Sequence, residues 1–349
     1  MKFWIVDELE AKVYLRGIVL RKIALITGNE VGPNTMPRAT RHSAAYEGVN
    51  PPLNAPALNT YSGCMKIHGA IFMFISLLAI GALRAQSLGN VKPPGSFVEV
   101  DGSRLYYEEC GTGPKAVILL HDGVVNSAVW DDVWPTLCKQ FHVIRYDRRG
   151  YGHSPATKKP YYEADDVAAI LQDRKVTRAA LVGSSHGGNI ALSVALRYPE
   201  RISDLLLVGP EAEGFPYSEH FIMAQREFQG AKDPIEVRVN NAYFIAPGND
   251  AAREHLRNLL NASPQDHKHN DMPLPEKPVF PYVRDLRIPT LILTGSADIA
   301  DNQAVSGALL MSIPGAARIV VPNTGHLLYL EKPDLFSSLV IGFLKSHGF

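Results

Sequence analysis

Beyond residue 95 the chain alternates short apolar runs with longer segments whose apolar residues recur at helical spacing. Ser96 to Val100 and Ser103 to Glu109 alternate apolar and polar residues on either side of Asp101-Gly102, which predicts a β-hairpin. Ala116-Val117-Ile118-Leu119-Leu120 is apolar throughout and predicts a strand covered on both faces. A helix is expected over Val129 to Gln140, a strand over His142 to Tyr146, a helix over Glu163 to Gln172, a strand running up to Ser185, a helix over His186 to Tyr198 and a strand over Asp204 to Val208. Such alternation implies right-handed crossovers and a parallel sheet with helices on both faces, its reactive groups at the carboxyl ends of the strands.

The rhythm then breaks. Glu211 to Arg284 holds amphipathic stretches (Ile222 to Phe228, Ala251 to Leu260) but no comparable apolar run, and it ends in a Pro-rich connector. This is the pattern of an inserted helical cap over 211–284, between core segments 96–210 and 285–349. Its Phe215, Tyr217, Phe221, Met223, Phe228, Tyr243 and Phe244 are expected either to form an apolar substrate site or simply to pack the cap. Strand, helix, strand and helix return over Thr290 to Leu293, up to Met311, Ala317 to Val321 and Pro333 to Ser346.

Ahead of this pattern, residues 1–64 become rich in Pro, Asn, Ala and Thr, a composition that buries little and is expected to be disordered or absent from the mature protein. Met65-Lys66, the apolar run Ile67 to Leu83, Arg84 and the small-residue exit Ala85-Gln86-Ser87 read as a secretory signal peptide over 65–87. The alternative is a membrane anchor, although the run falls short of the roughly 20 residues that span a bilayer comfortably. The expectation is an exported protein with no stable membrane association once the leader is removed.

The 349 residues carry 35 Lys and Arg against 35 Asp and Glu, which lacks the electrostatic footprint of a nucleic-acid binder and points to a small, weakly charged partner. Cys110 and Cys138 are expected as buried free thiols, because a strand end and a helix end need not meet. His267, His269 and Asp271 lack an established ligand frame and read as a solvated loop, leaving no metal site. Arg148 and Arg149 read as part of a structural turn, with a substrate carboxylate as the other possibility.

Candidate chemistry begins at Gly183-Ser184-Ser185-His186-Gly187, where an apolar strand turns sharply into a helix through a serine flanked by small residues. A serine hydroxyl is a poor nucleophile until a base takes its proton, and the base needs an acid to hold its ring. His326, in the loop after the last strand, suits the base. The loop after the preceding strand offers Asp298 and Asp301; Asp298 lies nearer the strand end and is chosen as the acid, while Asp301 fits a helix N-cap.

With these motifs, His121-Asp122-Gly123, Asp147 to Ser154 and Gly295 to Asp298 in order, the chain resembles the α/β-hydrolase-fold superfamily over Ser96 to Phe349. The match is to the serine-nucleophile branch of esterases, 3-oxoadipate enol-lactonase-like enzymes and metal-free haloperoxidases. The resemblance implies a mostly parallel eight-stranded α/β sheet and an oxyanion hole built from the backbone N–H groups of His186 and Gly123. It also implies cleavage of a small-molecule ester or lactone through an acyl-enzyme, with no metal or organic cofactor required. Where the family has His-Gly, this chain has His121-Asp122, so a carboxylate either faces the intermediate or points away. A perhydrolase and a carbon–carbon bond hydrolase share the same triad and remain open. A small-molecule-binding protein with an idle triad is disfavoured by the intact residue set.

Overall fold

The computed structural model describes residues 95–113, 115–267, 273–275 and 277–349. The leader at 65–87, the segment 1–64, and His269 and Asp271 lie outside the described residues. Eight strands form one sheet in the order β1-β2-β4-β3-β5-β6-β7-β8. They are β1 (Ser96–Val100), β2 (Ser103–Cys110), β3 (Ala116–Leu120), β4 (His142–Tyr146), β5 (Ala179–Ser184), β6 (Ile202–Val208), β7 (Thr290–Gly295) and β8 (Ala317–Val321). β1 and β2 pair antiparallel, as do β2 and β4, and every other pairing is parallel. Asp101 and Gly102 both take positive φ (50° and 74°), which suits the tight turn between β1 and β2.

The continuous apolar runs have a direct cause. Val117, Leu119, Val143, Val182 and Leu206 face one core cluster while Ile118, Leu120, Ile144, Leu181 and Leu207 face the other, so each central strand is buried on both sides. The helices that cover the sheet or lie beside it are α1 (Trp134–Cys138), α2 (Glu163–Asp173), α3 (His186–Arg197), α4 (Glu219–Gly230), α5 (Pro234–Val239), α6 (Asp250–Ala262), α7 (Ala300–Ser312), the single turn α8 (Leu328–Glu331) and α9 (Pro333–Ser346). α4, α5 and α6 all fall in the insertion between β6 and β7.

Three expectations are corrected. The helix expected over Val129 to Gln140 is instead a short 3₁₀ turn, Ser127–Trp130, followed by α1. Pro135 is the reason: it is tolerated only in a helix's first turn, so a helix must restart immediately before it. Asp301 does not cap α7, which has Ile299 at its N-cap; its carboxylate accepts from Ser218 N (2.6 Å) and Ser218 Oγ (2.8 Å) and ties the start of α4 to α7.

Cys110 and Cys138 are joined in a disulfide, with Cα atoms 5.4 Å apart. β2 pairs with β4 so that Cys110 lies opposite Val143, and α1 ends at Cys138, just before β4 begins. The strand end and the helix end are therefore neighbours through the sheet register, which neither local sequence reveals. The bridge closes a loop with a sequence separation of 28. On a chain-entropy argument Cys138→Ser should cost about 3 kcal/mol and lower Tm by roughly 10 °C. Thermal melts with and without reductant check this; equal Tm values would show that the bridge adds nothing.

Candidate active site

Ser185 sits between β5 and α3 at φ 52° and ψ −117°, a strained conformation for a residue with a side chain. The turn is possible because its flanks are glycines: a Cβ at Gly183 would lie 2.3 Å from Gly187 O, and one at Gly187 would lie 2.3 Å from Leu120 O. Ser185 N–H donates to Val208 O at 2.9 Å, which ties the elbow to β6. The side chain opens into a cavity of about 670 Å³ that His326, Asp298, Asn302, His186 and Gly123 also line.

Asp298 follows β7 and His326 follows β8, so with Ser185 after β5 the three candidates stand at the carboxyl ends of parallel strands. His326 Nδ1 lies 3.0 Å from Asp298 Oδ2, with both side chains almost fully buried. Asp298 Oδ1 accepts from Ile299 N (2.8 Å) and Asn302 Nδ2 (3.0 Å), which sets the plane of the carboxylate. Gly209 makes room for the pair at the end of β6: a Cβ there would lie 2.9 Å from both Asp298 Oδ2 and His326 Nδ1. The insertion fixes the histidine loop through its backbone, since His326 N–H donates to Tyr243 O at 2.7 Å and Leu327 N–H donates to Phe244 O at 3.1 Å. Burial acts to lower the His326 pKa, but the charge and hydrogen bond of Asp298, with Asp122 and Glu211 further away, raise it above 6.5. A base with this geometry keeps Nε2 for a proton from a nucleophile.

Gly123 and His186 are adjacent, as a Cβ on Gly123 would stand 3.9 Å from the His186 Cβ. His186 opens α3, so its backbone N–H has no intrahelical acceptor. The peptide that carries the Gly123 N–H is held through Asp122 O, which accepts from His121 Nδ1 (2.7 Å) and Arg148 Nη1 (3.1 Å), and Gly123 O accepts from Tyr151 Oη at 3.1 Å. The Asp122 carboxylate is fully buried and satisfied within the protein. Oδ1 accepts from Val124 N (2.5 Å) and Val125 N (3.0 Å), and Oδ2 accepts from Tyr329 Oη (2.9 Å). The residue that departs from the family pattern thus shapes the loop carrying Gly123 instead of lining the cavity. His121 is fully buried, and burial followed by the charge of Arg148 pushes its pKa well down. As a neutral ring it donates from Nδ1 to Asp122 O (2.7 Å) and accepts Arg148 N–H on Nε2 (3.0 Å).

Sequence reasoning missed a line of alternating charges along the same cavity. Arg148 donates to Glu163 Oε1 through Nε (2.9 Å) and Nη2 (2.7 Å), and through Nη1 to Asp122 O (3.1 Å). His186 Nε2 lies 2.6 Å from Glu163 Oε2, and His186 Nδ1 lies 3.2 Å from Glu211 Oε2. Arg149, the other turn arginine, pairs with Asp166 at 2.6 Å. Burial would lower the His186 pKa, yet the charge of Glu163 and the hydrogen bonds that the ring donates to both carboxylates raise it to about 9 against the opposition of Arg148. A histidine at the position after the serine hints at this only weakly, because its two partners come from α2 and from the segment after β6. Asn302 was missed as well. It is the third residue of the helix that follows Asp298, and its Nδ2 also lies 3.0 Å from His326 Nδ1.

The His186 shift carries a stability prediction. A histidine whose folded pKa exceeds its unfolded value of 6.5 stabilises the fold fully below that value and loses the contribution as pH rises through about 9. Denaturant titrations from pH 6 to pH 10 should therefore show wild-type stability falling at the alkaline end, with a flatter curve for His186→Gln; identical curves would contradict the assignment.

Tyr217, Phe221, Phe228, Tyr243 and Phe244 of the insertion line the cavity, whereas Phe215 packs on Phe280 and Met223 is exposed. Among the described residues no cluster of His, Cys, Asp and Glu could hold a metal ion, and no helix is long and apolar enough to cross a membrane.

A mostly parallel eight-stranded sheet, with a serine elbow at one strand end and a histidine–aspartate pair at two others, defines the α/β-hydrolase class. The chain belongs to the alpha/beta hydrolase family, whose sequence profile matches residues 117–339. It is 27% identical over 288 residues to a 2-hydroxy-6-oxo-6-phenylhexa-2,4-dienoate hydrolase of Comamonas testosteroni, spanning 74% of this chain and 97% of that protein. A pimeloyl-[acyl-carrier protein] methyl ester esterase of Yersinia enterocolitica is 25% identical over 260 residues, 69% of this chain and 98% of that one. In fold, a thermophilic esterase of Thermogutta terrifontis superposes with a TM-score of 0.62 at 23% identity, covering 73% of this chain and 99% of that one.

Proposed function

We propose that this hydrolase cleaves a small-molecule carboxylic ester or lactone through an acyl-enzyme on Ser185. The observation that carries the reading is the 3.0 Å contact between His326 Nδ1 and Asp298 Oδ2 in the wall of the cavity that Ser185 enters from its strained elbow. Ser185 Oγ attacks the carbonyl carbon while His326 Nε2 takes its proton, and Asp298 stabilises the resulting imidazolium. The tetrahedral oxyanion accepts from the backbone N–H groups of His186 and Gly123. Collapse expels the alkoxide, which takes the proton back from His326. Water, deprotonated by the same ring, then releases the acid and restores Ser185.

A carbon–carbon bond hydrolase using the same three residues is the second reading, favoured by the name of the Comamonas relative. Export through the 65–87 leader is part of the proposal and is supported by the Cys110–Cys138 disulfide, since such bridges persist in oxidising compartments.

The test combines a p-nitrophenyl ester chain-length series, a set of lactones and a dienoate of the meta-cleavage type with active-site labelling by a fluorophosphonate. Turnover of esters or lactones together with a phosphonylated Ser185 supports the first reading. Turnover of the dienoate alone moves it to the second. No turnover of any of them and no labelling would overturn the serine mechanism.

A further inference from the structure

The charge line beside Ser185 ends in an acceptor that no described residue uses. Among the described residues three carboxylates line the cavity: Asp298, Glu163 and Glu211. Both oxygens of Asp298 are engaged, by Ile299 N and Asn302 Nδ2 on one side and His326 Nδ1 on the other. Both oxygens of Glu163 are engaged, by Arg148 and His186. Glu211 uses only Oε2, toward His186 Nδ1, and its Oε1 makes no hydrogen bond among the described residues. Glu211 is also held close to the chemistry, because its own N–H donates to Ser185 O at 3.0 Å.

From this we propose that Glu211 Oε1 is a subsite for a hydroxyl group of the substrate, so that the preferred ester or lactone carries a hydroxyl a few bonds from the scissile carbonyl. The inference rests on the reading of Ser185 as nucleophile. Ionised carboxylates only accept hydrogen bonds, so the complementary group is a donor. The hydrogen bond and charge of His186 outweigh burial and keep Glu211 ionised.

Charge selects the kind of donor. Arg148, Glu163, His186 and Glu211 alternate plus, minus, plus, minus and sum to zero. An ammonium group would leave that line with an uncompensated positive charge beside Arg148 and His186. A substrate carboxylate would meet the free oxygen of Glu211 directly. A neutral hydroxyl satisfies Oε1 and leaves the balance intact. A charged acceptor set in the cavity wall favours a substrate whose donor completes it over one that leaves it to solvent.

The experiment compares kcat/KM for ethyl 2-hydroxybutanoate and ethyl 3-hydroxybutanoate with that for ethyl butanoate, in the wild type, Glu211→Gln and Glu211→Leu. Each rate is referred to the fraction of protein that a fluorophosphonate labels, and the readout is the ratio of hydroxylated to plain ester within one preparation, so partial misfolding cancels. The wild type should favour at least one hydroxy ester by about 10- to 100-fold, as expected for a hydrogen bond to a charged acceptor. Glu211→Leu should bring that ratio to about one, and Glu211→Gln, which keeps a carbonyl acceptor, should fall between. A wild-type ratio near one, or an unchanged ratio in Glu211→Leu, overturns the subsite. So does a protein that is labelled yet cleaves none of the three esters. A protein that is neither labelled nor active refutes the nucleophile reading instead.

Discussion

Ser185→Ala is expected to lower kcat for ester cleavage by about five to six orders of magnitude, the scale seen when the nucleophile of a serine triad is removed. The large effect follows from what remains. His326 and Asp298 would still hold their 3.0 Å contact, but no covalent intermediate could form, and water would have to attack without being held in place. The variant should fold. Ser185 Oγ makes no hydrogen bond among the described residues, its backbone N–H to Val208 O is kept, and alanine at φ 52° is no more strained than serine. Substrate binding should change little, because the walls of the cavity are untouched. Steady-state kinetics and the loss of the phosphonyl adduct by intact-mass spectrometry measure this together; turnover within tenfold of wild type would remove Ser185 from the mechanism.

Asp298→Asn is expected to cost about four orders of magnitude in kcat, by a different route. His326 Nδ1 is contested: Asp298 Oδ2 offers a charged acceptor at 3.0 Å, and Asn302 Nδ2 stands 3.0 Å away on the same nitrogen. The carboxylate wins because a charge-assisted hydrogen bond is roughly twice as strong as a neutral one, so the proton stays on Nδ1 and Nε2 is free to act as base. With an amide at 298 that advantage disappears, and two N–H donors facing Nδ1 favour the tautomer that carries its proton on Nε2. The pH profile gives an independent check. The Asp298 charge raises the His326 pKa against burial, so wild-type kcat/KM should fall away on the acid side from above pH 6.5. Without that charge burial dominates, and the acid limb of the residual activity should move to lower pH. An unmoved limb would mean that Asp298 is not the residue poising His326.

The same pair shows how far local sequence reaches. Asp298 and His326 were identifiable because each follows an apolar run that can only be a buried strand, and parallel strands bring their carboxyl ends together. The serine elbow was identifiable because Gly183 and Gly187 permit an approach that any Cβ would block. Asn302 was not, since nothing local distinguishes an asparagine in the first turns of a helix from one facing solvent. Glu163 and Glu211 were equally silent: one opens α2 and the other follows β6, and only the packing of both against α3 turns His186 into a charged bridge between them.

The sequence by itself determined the sheet, the order of its strands along the chain, the break at the insertion and which three candidate residues stand at the strand ends, because periodicity and turn chemistry act over a few residues and survive without tertiary contacts. Tertiary structure alone decided that Cys110 meets Cys138, that Asp122 turns inward to Val124, Val125 and Tyr329, that Asp301 binds Ser218 instead of capping its helix, and that Glu211 lines the cavity with an oxygen bonded to none of the described residues. Each of these depends on where a distant segment is brought by β-sheet register or helix packing. Partners separated by dozens of residues leave no periodic trace in the chain that carries them.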